Sequence, residues 1–205
     1  MSKKIRISKR EKLIKRFFDF IIASIGLIIV LPIILISYLI ALIETKESGF
    51  FTQKRVGKNG KIFKIIKVKT MKSNTKHNTN VTTKKDPRIT NSGKFFRKTK
   101  IDELPQLINI VKGEMSFVGP RPDVPEIINT MNKDDKDIIL SVRPGITGPA
   151  SLKYENEEEV LAEKDNPEKY NEEVIFPNKV RLNKEYIRNY SFFKDIYYIF
   201  KTIFF

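Results

Sequence analysis

Residues 17–43 form an apolar run of 27 residues whose only charge is Asp19, with Pro32 near its middle. About 20 such residues suffice to cross a bilayer as a helix. A segment apolar on every face is also out of place as the half-exposed helix of a soluble core, so the chain is tied to a membrane. The run is too long for the apolar part of a cleavable signal peptide and ends without a small-x-small cleavage pattern. Eight basic residues precede it (Lys3, Lys4, Arg6, Lys9, Arg10, Lys12, Lys15, Arg16), opposed only by Glu11, and Lys46, Lys54, Arg55, Lys58 and Lys61 follow. Basic flanks favour the cytoplasmic side, and here both flanks make that claim. A spanning helix with a tolerated proline leaves one basic flank outside, whereas a helix that enters, bends at Pro32 and returns satisfies both. The charge argument favours re-entrance. The expected organisation is a basic cytoplasmic flank at 1–16, a re-entrant membrane helix at 17–43, and a cytoplasmic domain at the membrane surface from 44 to 205.

The remaining length is enough for one domain with a real core. With no cysteine, disulfides, thiolate nucleophiles and Cys-ligated zinc are excluded. The single histidine, His77, lies in a polar run, which argues against a His-based triad or multi-His metal site. Any metal is therefore oxygen-ligated, which favours Mg²⁺ or a similar hard cation. The formal charge of +15 is unevenly spread: residues 1–100 carry 25 Lys/Arg against 5 Asp/Glu, and residues 101–205 carry 14 against 19. A basic front half implies an anionic partner: nucleic acid, anionic lipid or a phosphorylated substrate.

Residues 49–71 read as two short strands about a Gly57-Lys58-Asn59-Gly60 turn, and residues 73–85 as a polar loop. Leu104, Leu107, Ile108 and Val111 follow a helical period, with Asp102 and Glu103 at the helix start, Pro105 in its first turn and Gly113 just past its end. SFVGPRP (116–122) and RPGITG (143–148) read as stiff turns, and the acidic stretch 155–173 as a solvated helical or irregular insertion. Phe192, Phe193, Ile196, Ile199, Phe200 and Ile203 make a helical stripe. Core packing is the plain reading of that stripe, but the interleaved Lys194 and Lys201 favour a membrane-surface helix. The fold class expected is mixed α/β, mainly helical, with one short hairpin and interfacial amphipathic helices.

A helix start attracts phosphate through its free N–H groups. Asp102 there is expected to stay ionised and to serve as a nucleophile or Mg²⁺ ligand, with Lys67, Lys69, Arg88, Arg97, Arg121 and Arg143 available to neutralise phosphate. Alone, such an acidic pair is ordinary capping. In combination, KxKTM (67–71), DPRIT (86–90), RKTKIDELPQL (97–107), GEMSFVGPRP (113–122) and RPGITG (143–148) closely resemble the bacterial sugar transferase family, the monotopic phosphoglycosyl transferases that begin surface glycan assembly. The resemblance implies transfer of a sugar-1-phosphate from a UDP-sugar to polyprenyl (undecaprenyl) phosphate, with UMP released, at the cytoplasmic face of the bacterial inner membrane. It implies Asp102 as the nucleophile that carries the phosphosugar and as the ligand of Mg²⁺, Glu103 as the second acid of the dyad, and Lys67, Arg121, Glu126, Arg143 and Asp195 around the substrate; Arg97 is placed with them as a phosphate-binding cation. The partners implied are UDP-sugar, polyprenyl phosphate and membrane lipids, with downstream glycosyltransferases or a second copy as further candidates and nucleic acid excluded. The chain departs from the family at the kink, which is Leu31-Pro32 rather than Ser-Pro. It departs again after RPGITG, where Pro149 to Tyr154 replace a Trp-Ala-Gln segment associated with nucleotide-sugar recognition. The rival class, a membrane-tethered nucleic-acid or anionic-lipid binder, accounts for the charge but not for the linked motifs.

Overall fold

The computed structural model describes residues 7–73 and 86–204, without the side chain of Glu158. The expected loop at 73–85, His77 included, lies almost wholly outside the described residues. Ser8 opens the first helix, α1 (Lys9–Thr45), with a capping box: its Oγ accepts from the Glu11 N–H at 3.1 Å, and Glu11 Oε2 accepts from the Ser8 N–H at 2.8 Å. At 1.5 Å per residue, α1 is about 55 Å long. Helical structure continues through Pro32, so the expected bend does not break the helix. The buried positions Asp19, Ala23, Ile34, Ser37, Ala41 and Thr45, with half-buried Gly26 and Val30 between them, recur every three or four residues on both sides of the proline. Those positions give α1 a continuous seat against the domain across Pro32, although the ring removes one hydrogen bond. The opposite face is bare: Ile28 and Ile43 are each 75% exposed.

The expected hairpin is present. Strands β1 (Phe50–Val56) and β2 (Ile62–Val68) pair antiparallel, with Phe50 opposite Val68 and Val56 opposite Ile62. Phe63 and Ile65 share one face of β2 and pack with Ala23 of α1 and with Leu107, Ile110 and Met115. Helix α2 (Asn91–Lys98) is capped twice: Thr90 Oγ1 accepts from the Gly93 N–H at 3.0 Å, and Glu44 Oε1 accepts from the Asn91 N–H at 3.0 Å. A carboxylate at an N-terminus is favoured by the free N–H groups there.

The dyad lies in a short 3-10 helix (Ile101–Glu103) that leads through Leu104 and Pro105, both with helical backbone, toward helix α3 (Gln106–Lys112). Its end is as expected, at Gly113 with φ 81°. Its buried surface is not the simple stripe expected. Gln106, Leu107, Asn109 and Ile110 are the buried positions, because α3 lies between α1 and the hairpin and is covered on more than one side. Asn109 serves the free edge of β2: its Oδ1 accepts from the Ile66 N–H at 3.2 Å, and its Nδ2 donates to Lys64 O at 2.8 Å and to Glu114 Oε2 at 2.7 Å.

The two motifs expected to be turns contain strands. β3 (Ser116–Val118) and β4 (Gly145–Thr147) pair parallel. Gly119 and Gly145 are the reason they can. A Cβ on Gly119 would lie 2.5 Å from Arg143 O, and one on Gly145 would lie 2.1 Å from Gly119 N, so the two backbones meet where a side chain cannot fit. The rest is helical: α4 (Pro125–Thr130), α5 (Lys133–Ile139), α6 (Pro149–Lys153), α7 (Glu157–Ala162), α8 (Pro167–Tyr170), a π-helical turn at Asn171–Ile175, α9 (Phe176–Arg188) and α10 (Phe192–Phe204). The acidic stretch thus forms α7, α8 and part of the π turn. It is largely exposed, though Leu161 is buried. A second core joins Val118, Ile139, Val142, Tyr186 and Ile187, and Phe117 packs against both cores. Along α10, Phe193 is 84% exposed and Ile203 67% exposed, while Asp195 is buried.

Candidate active site

Strand parity brings the first cation to the dyad. Lys67 has the same parity on β2 as Phe63 and Ile65, the face that packs on α3. Its Nζ lies 2.8 Å from Glu103 Oε1. Arg121 arrives from the other side, carried by the turn that follows the Gly119–Gly145 crossing, and its Nη2 lies 2.8 Å from the same oxygen. Burial alone would push the Glu103 carboxyl up, but Arg121 and Lys67 outweigh it and hold it far below the usual carboxylate range. Arg121 is raised in return, chiefly by Glu103, whereas burial pulls Lys67 down against the opposing pull of Glu103.

Asp102 is placed differently. It is 7% exposed, and its Oδ1 is buried without a hydrogen-bond partner. Burial pushes its carboxyl upward, opposed by Lys67, Arg97 and Lys100 and reinforced by Glu103. The expectation of an ionised Asp102 is thus modified: its charge is costlier here than in water, and the surrounding cations offset part of that cost. Lys100, just before it, has a left-handed backbone at φ 58°. Arg97, on α2, acts electrostatically on Asp102 and has its Nη1 3.9 Å from Met71 Sδ. Gln106, one turn on from Asp102, is 2% exposed with its Nε2 unpartnered. Gln106 thus offers a buried donor, and Asp102 a buried acceptor, that no described residue engages.

The other expected site residues are dispersed. Glu126 is exposed in the first turn of α4. Arg143 donates from Nε to Gly113 O at 2.8 Å, at the far end of α3 from the dyad. Asp195 accepts from Lys15 Nζ at 2.5 Å, Tyr186 Oη at 2.6 Å and Tyr190 Oη at 3.2 Å, tying α10 and α9 to the head of α1. Within DPRIT, Asp86 grips Arg88 at 2.6 Å, Ile89 bridges Met71, and Thr90 caps α2, so the motif builds the base from which Arg97 projects.

Three residues that hold this site were not among the site residues expected from the sequence. Arg16 donates to Ile110 O at 2.6 Å and to Val111 O at 2.8 Å, capping α3 from α1. Asp19 Oδ1 accepts from the Phe117 N–H at 3.2 Å, which fixes β3. Asn109 stitches α3 to β2. Asp19 and Asn109 stand out in the sequence as polar residues inside apolar runs, a signal of a buried partner; nothing local marks Arg16 among its basic neighbours.

Among the described residues no group of three or more His, Cys, Asp or Glu gathers as a metal cage. Mg²⁺ does not require one, since it is commonly bound through one or two carboxylates together with substrate phosphates. The unpartnered Oδ1 of Asp102 fits that mode of binding.

A family model described as bacterial sugar transferase matches residues 10–205. An uncharacterized sugar transferase of Haemophilus influenzae is 34% identical over 209 residues, covering 94% of this chain and 41% of that protein. A putative undecaprenyl-phosphate N-acetylgalactosaminyl 1-phosphate transferase of Bacillus subtilis is 48% identical over 113 residues, covering 55% of this chain and 63% of its own length. The UDP-glucose:undecaprenyl-phosphate glucose-1-phosphate transferase of Escherichia coli is 35% identical over 202 residues, covering 97% of this chain and 41% of its own. The chain thus spans about two fifths of the Haemophilus and Escherichia relatives and under two thirds of the Bacillus one.

Proposed function

The chain belongs to the bacterial sugar transferase family, and on that premise we propose that it is a phosphoglycosyl transferase moving a sugar-1-phosphate from a UDP-sugar to undecaprenyl phosphate. The observation that carries this reading is the asymmetry of the dyad. Glu103 is locked between Lys67 and Arg121, whereas Asp102 beside it is buried with an unpartnered oxygen. The two acids divide the work accordingly. Glu103 holds two cations in position, and Asp102 keeps a carboxylate oxygen unengaged and poorly solvated, which favours nucleophilic attack.

In the reaction proposed, a carboxylate oxygen of Asp102 attacks the phosphorus attached to the sugar. The bond from that phosphorus to the bridging oxygen breaks, and the electron pair leaves with UMP. An oxygen of undecaprenyl phosphate then attacks the same phosphorus, releasing Asp102 as carboxylate and giving the lipid-linked diphosphosugar. Lys67, Arg121 and Arg97 neutralise the charge on the phosphoryl oxygens, the dominant requirement of phosphoryl transfer. Mg²⁺ held by Asp102 would supply further neutralisation of the diphosphate when bound.

The setting proposed is the cytoplasmic face of the inner membrane, with α1 embedded without delivering the domain to the far side. Two observations support it. The domain covers one face of α1 from Asp19 to Thr45, which leaves no full turn of the helix free for lipid all round. Both ends of the apolar run are also tied to the domain, Lys15 ahead of it bonding Asp195 and Glu47 after it pairing with Lys69. The test is direct: purified protein in detergent, given undecaprenyl phosphate, Mg²⁺ and a panel of UDP-sugars, releases UMP with at least one of them, and release stops in excess chelator. No UMP with any donor removes the transferase reading; full release in chelator removes the metal.

A further inference from the structure

Both cations on Glu103 are set by the hairpin, one directly and one at a remove. Phe51, Gln53 and Arg55 of β1 stand opposite Lys67, Ile65 and Phe63 of β2, and residues directly opposite in an antiparallel pair share a face. Lys67 on that face reaches Glu103 itself. Arg55, at the other end of the same face, reaches the turn that carries Arg121. Its Nη1 donates to Pro122 O at 3.1 Å, and its Nη2 donates to Gln53 Oε1 at 2.6 Å. The next residue repeats the grip from the backbone, the Val56 N–H donating to Asp123 O at 3.0 Å.

The turn needs such support from outside. Pro120 and Pro122, on either side of Arg121, have no N–H to donate, so the turn is fastened through its carbonyls. Pro120 O accepts from the Gly145 N–H at 2.8 Å, and Pro122 O and Asp123 O accept from β1. Gln53 holds the second arm of the Arg55 guanidinium, which keeps the planar fork in one orientation. Burial pulls that guanidinium down, and Asp123 of the turn is the chief charge opposing the pull.

Resting on the transferase reading, we propose that Arg55 is a positioning residue that acts on the reaction through Arg121, by fixing the Pro120–Asp123 turn at the spacing from Lys67 that places both cations on Glu103 and beside the phosphoryl group. The hairpin is the gauge between them: β2 carries Lys67, and β1, paired to it along its whole length, carries the anchor of the turn. The two cations converge on one oxygen at 2.8 Å each. A misplacement of about 1 Å, even from a change away from the chemistry, can cost about 100-fold in rate, and side chains that support a reacting group from behind act on that scale.

A double-mutant cycle on the rate of UMP release tests this, with undecaprenyl phosphate, Mg²⁺ and the fastest UDP-sugar of the panel. It compares the unmodified protein, Arg55→Met, Arg121→Met and the double variant; radiolabelled donor with protein in excess keeps the slow variants measurable. Arg55→Met should lower the rate by about 10- to 100-fold when Arg121 is present, and by less than about two-fold when Arg121 is already Met. A residue that only stabilises the fold, or that binds substrate itself, lowers the rate by the same factor in both backgrounds, and that result overturns the assignment. An unchanged rate in Arg55→Met overturns it too. If Arg55→Met does not fold, Arg55→Lys, which keeps the charge but not the fork, runs through the same cycle under the same criterion. An additive cycle in an active protein removes the assignment alone, whereas no UMP release from any donor by the unmodified protein removes the transferase reading with it.

Discussion

Asp102 and Glu103 are adjacent in sequence and opposite in electrostatics. Glu103 contributes stability that is present above the ordinary Glu range of about 4.3 and is lost only as pH falls through its strongly depressed folded value. Asp102 is raised, so its contribution runs the other way: it is present below the ordinary Asp range and lost as pH rises through the elevated folded value. Asp102→Asn should therefore abolish UMP release while leaving the melting temperature at neutral pH unchanged or slightly higher. Substantial residual turnover would take Asp102 out of the nucleophile's role. Glu103→Gln should instead lower stability by about 3 kcal/mol, because it strips the partner from Lys67 and Arg121. A melting temperature unchanged in Glu103→Gln would show that the cations do not depend on it.

Helix α3 is where the membrane segment meets the chemistry. Its N-terminal side carries the dyad, and its C-terminal carbonyls are capped by Arg16 from α1 and, at Gly113, by Arg143. A guanidinium at a helix C-terminus is favoured by the carbonyls left free there, and here two are supplied by distant segments. Arg16→Met should cost about 2 kcal/mol, the range for hydrogen bonds to charged groups, and lower the melting temperature by about 4–8 °C for a chain of this size. Activity should fall as well, because α3 loses one of the contacts that sets its position. Equal stability in Arg16→Met and the unmodified protein would show that the head of α1 is dispensable to the domain. Asn109 does the comparable work on the other side of α3, where β2 has no further strand to pair with among the described residues.

At the scale of the whole molecule, bare apolar surface on α1 and α10 stands against a strongly basic chain. Exposed Ile28, Ile29, Ile36 and Ile43 on one helix, and Phe193, Phe200 and Ile203 on the other, are surface that water disfavours and acyl chains accept. On the proposed topology, in which both basic flanks stay on one side, cysteines introduced at Ser2 and Ser48 should both react only with a reagent applied from the cytoplasmic side. The absence of native cysteine makes the labelling clean. External labelling at Ser2 with cytoplasmic labelling at Ser48 would show a spanning helix. Pro32→Leu restores a hydrogen bond and removes the ring's clash, but moving eight basic residues outward opposes inversion, so the unmodified protein decides the question.

The apolar run, the hairpin about Gly57–Gly60, the Gly113 stop and the order of the linked motifs were legible in the sequence because each is local. Periodicity, a turn residue or a positive-φ glycine acts over a few neighbours. Membership of the family was legible for the same reason, since it rests on short motifs in order. What tertiary structure alone decided is relational. Two motifs that read as turns became paired strands because Gly119 and Gly145, 26 positions apart, let their backbones touch. The helix start at the dyad took 3-10 form ahead of α3, and α3 is buried on several sides because α1 and β2 close on it. Glu103 became the clamp and Asp102 the unpartnered acid only once Lys67 and Arg121 arrived from opposite directions. Neighbours in a chain share composition and turn chemistry, but desolvation and ion pairing depend on what packs against each side chain, and two consecutive carboxylates can therefore be driven to opposite ends of their range.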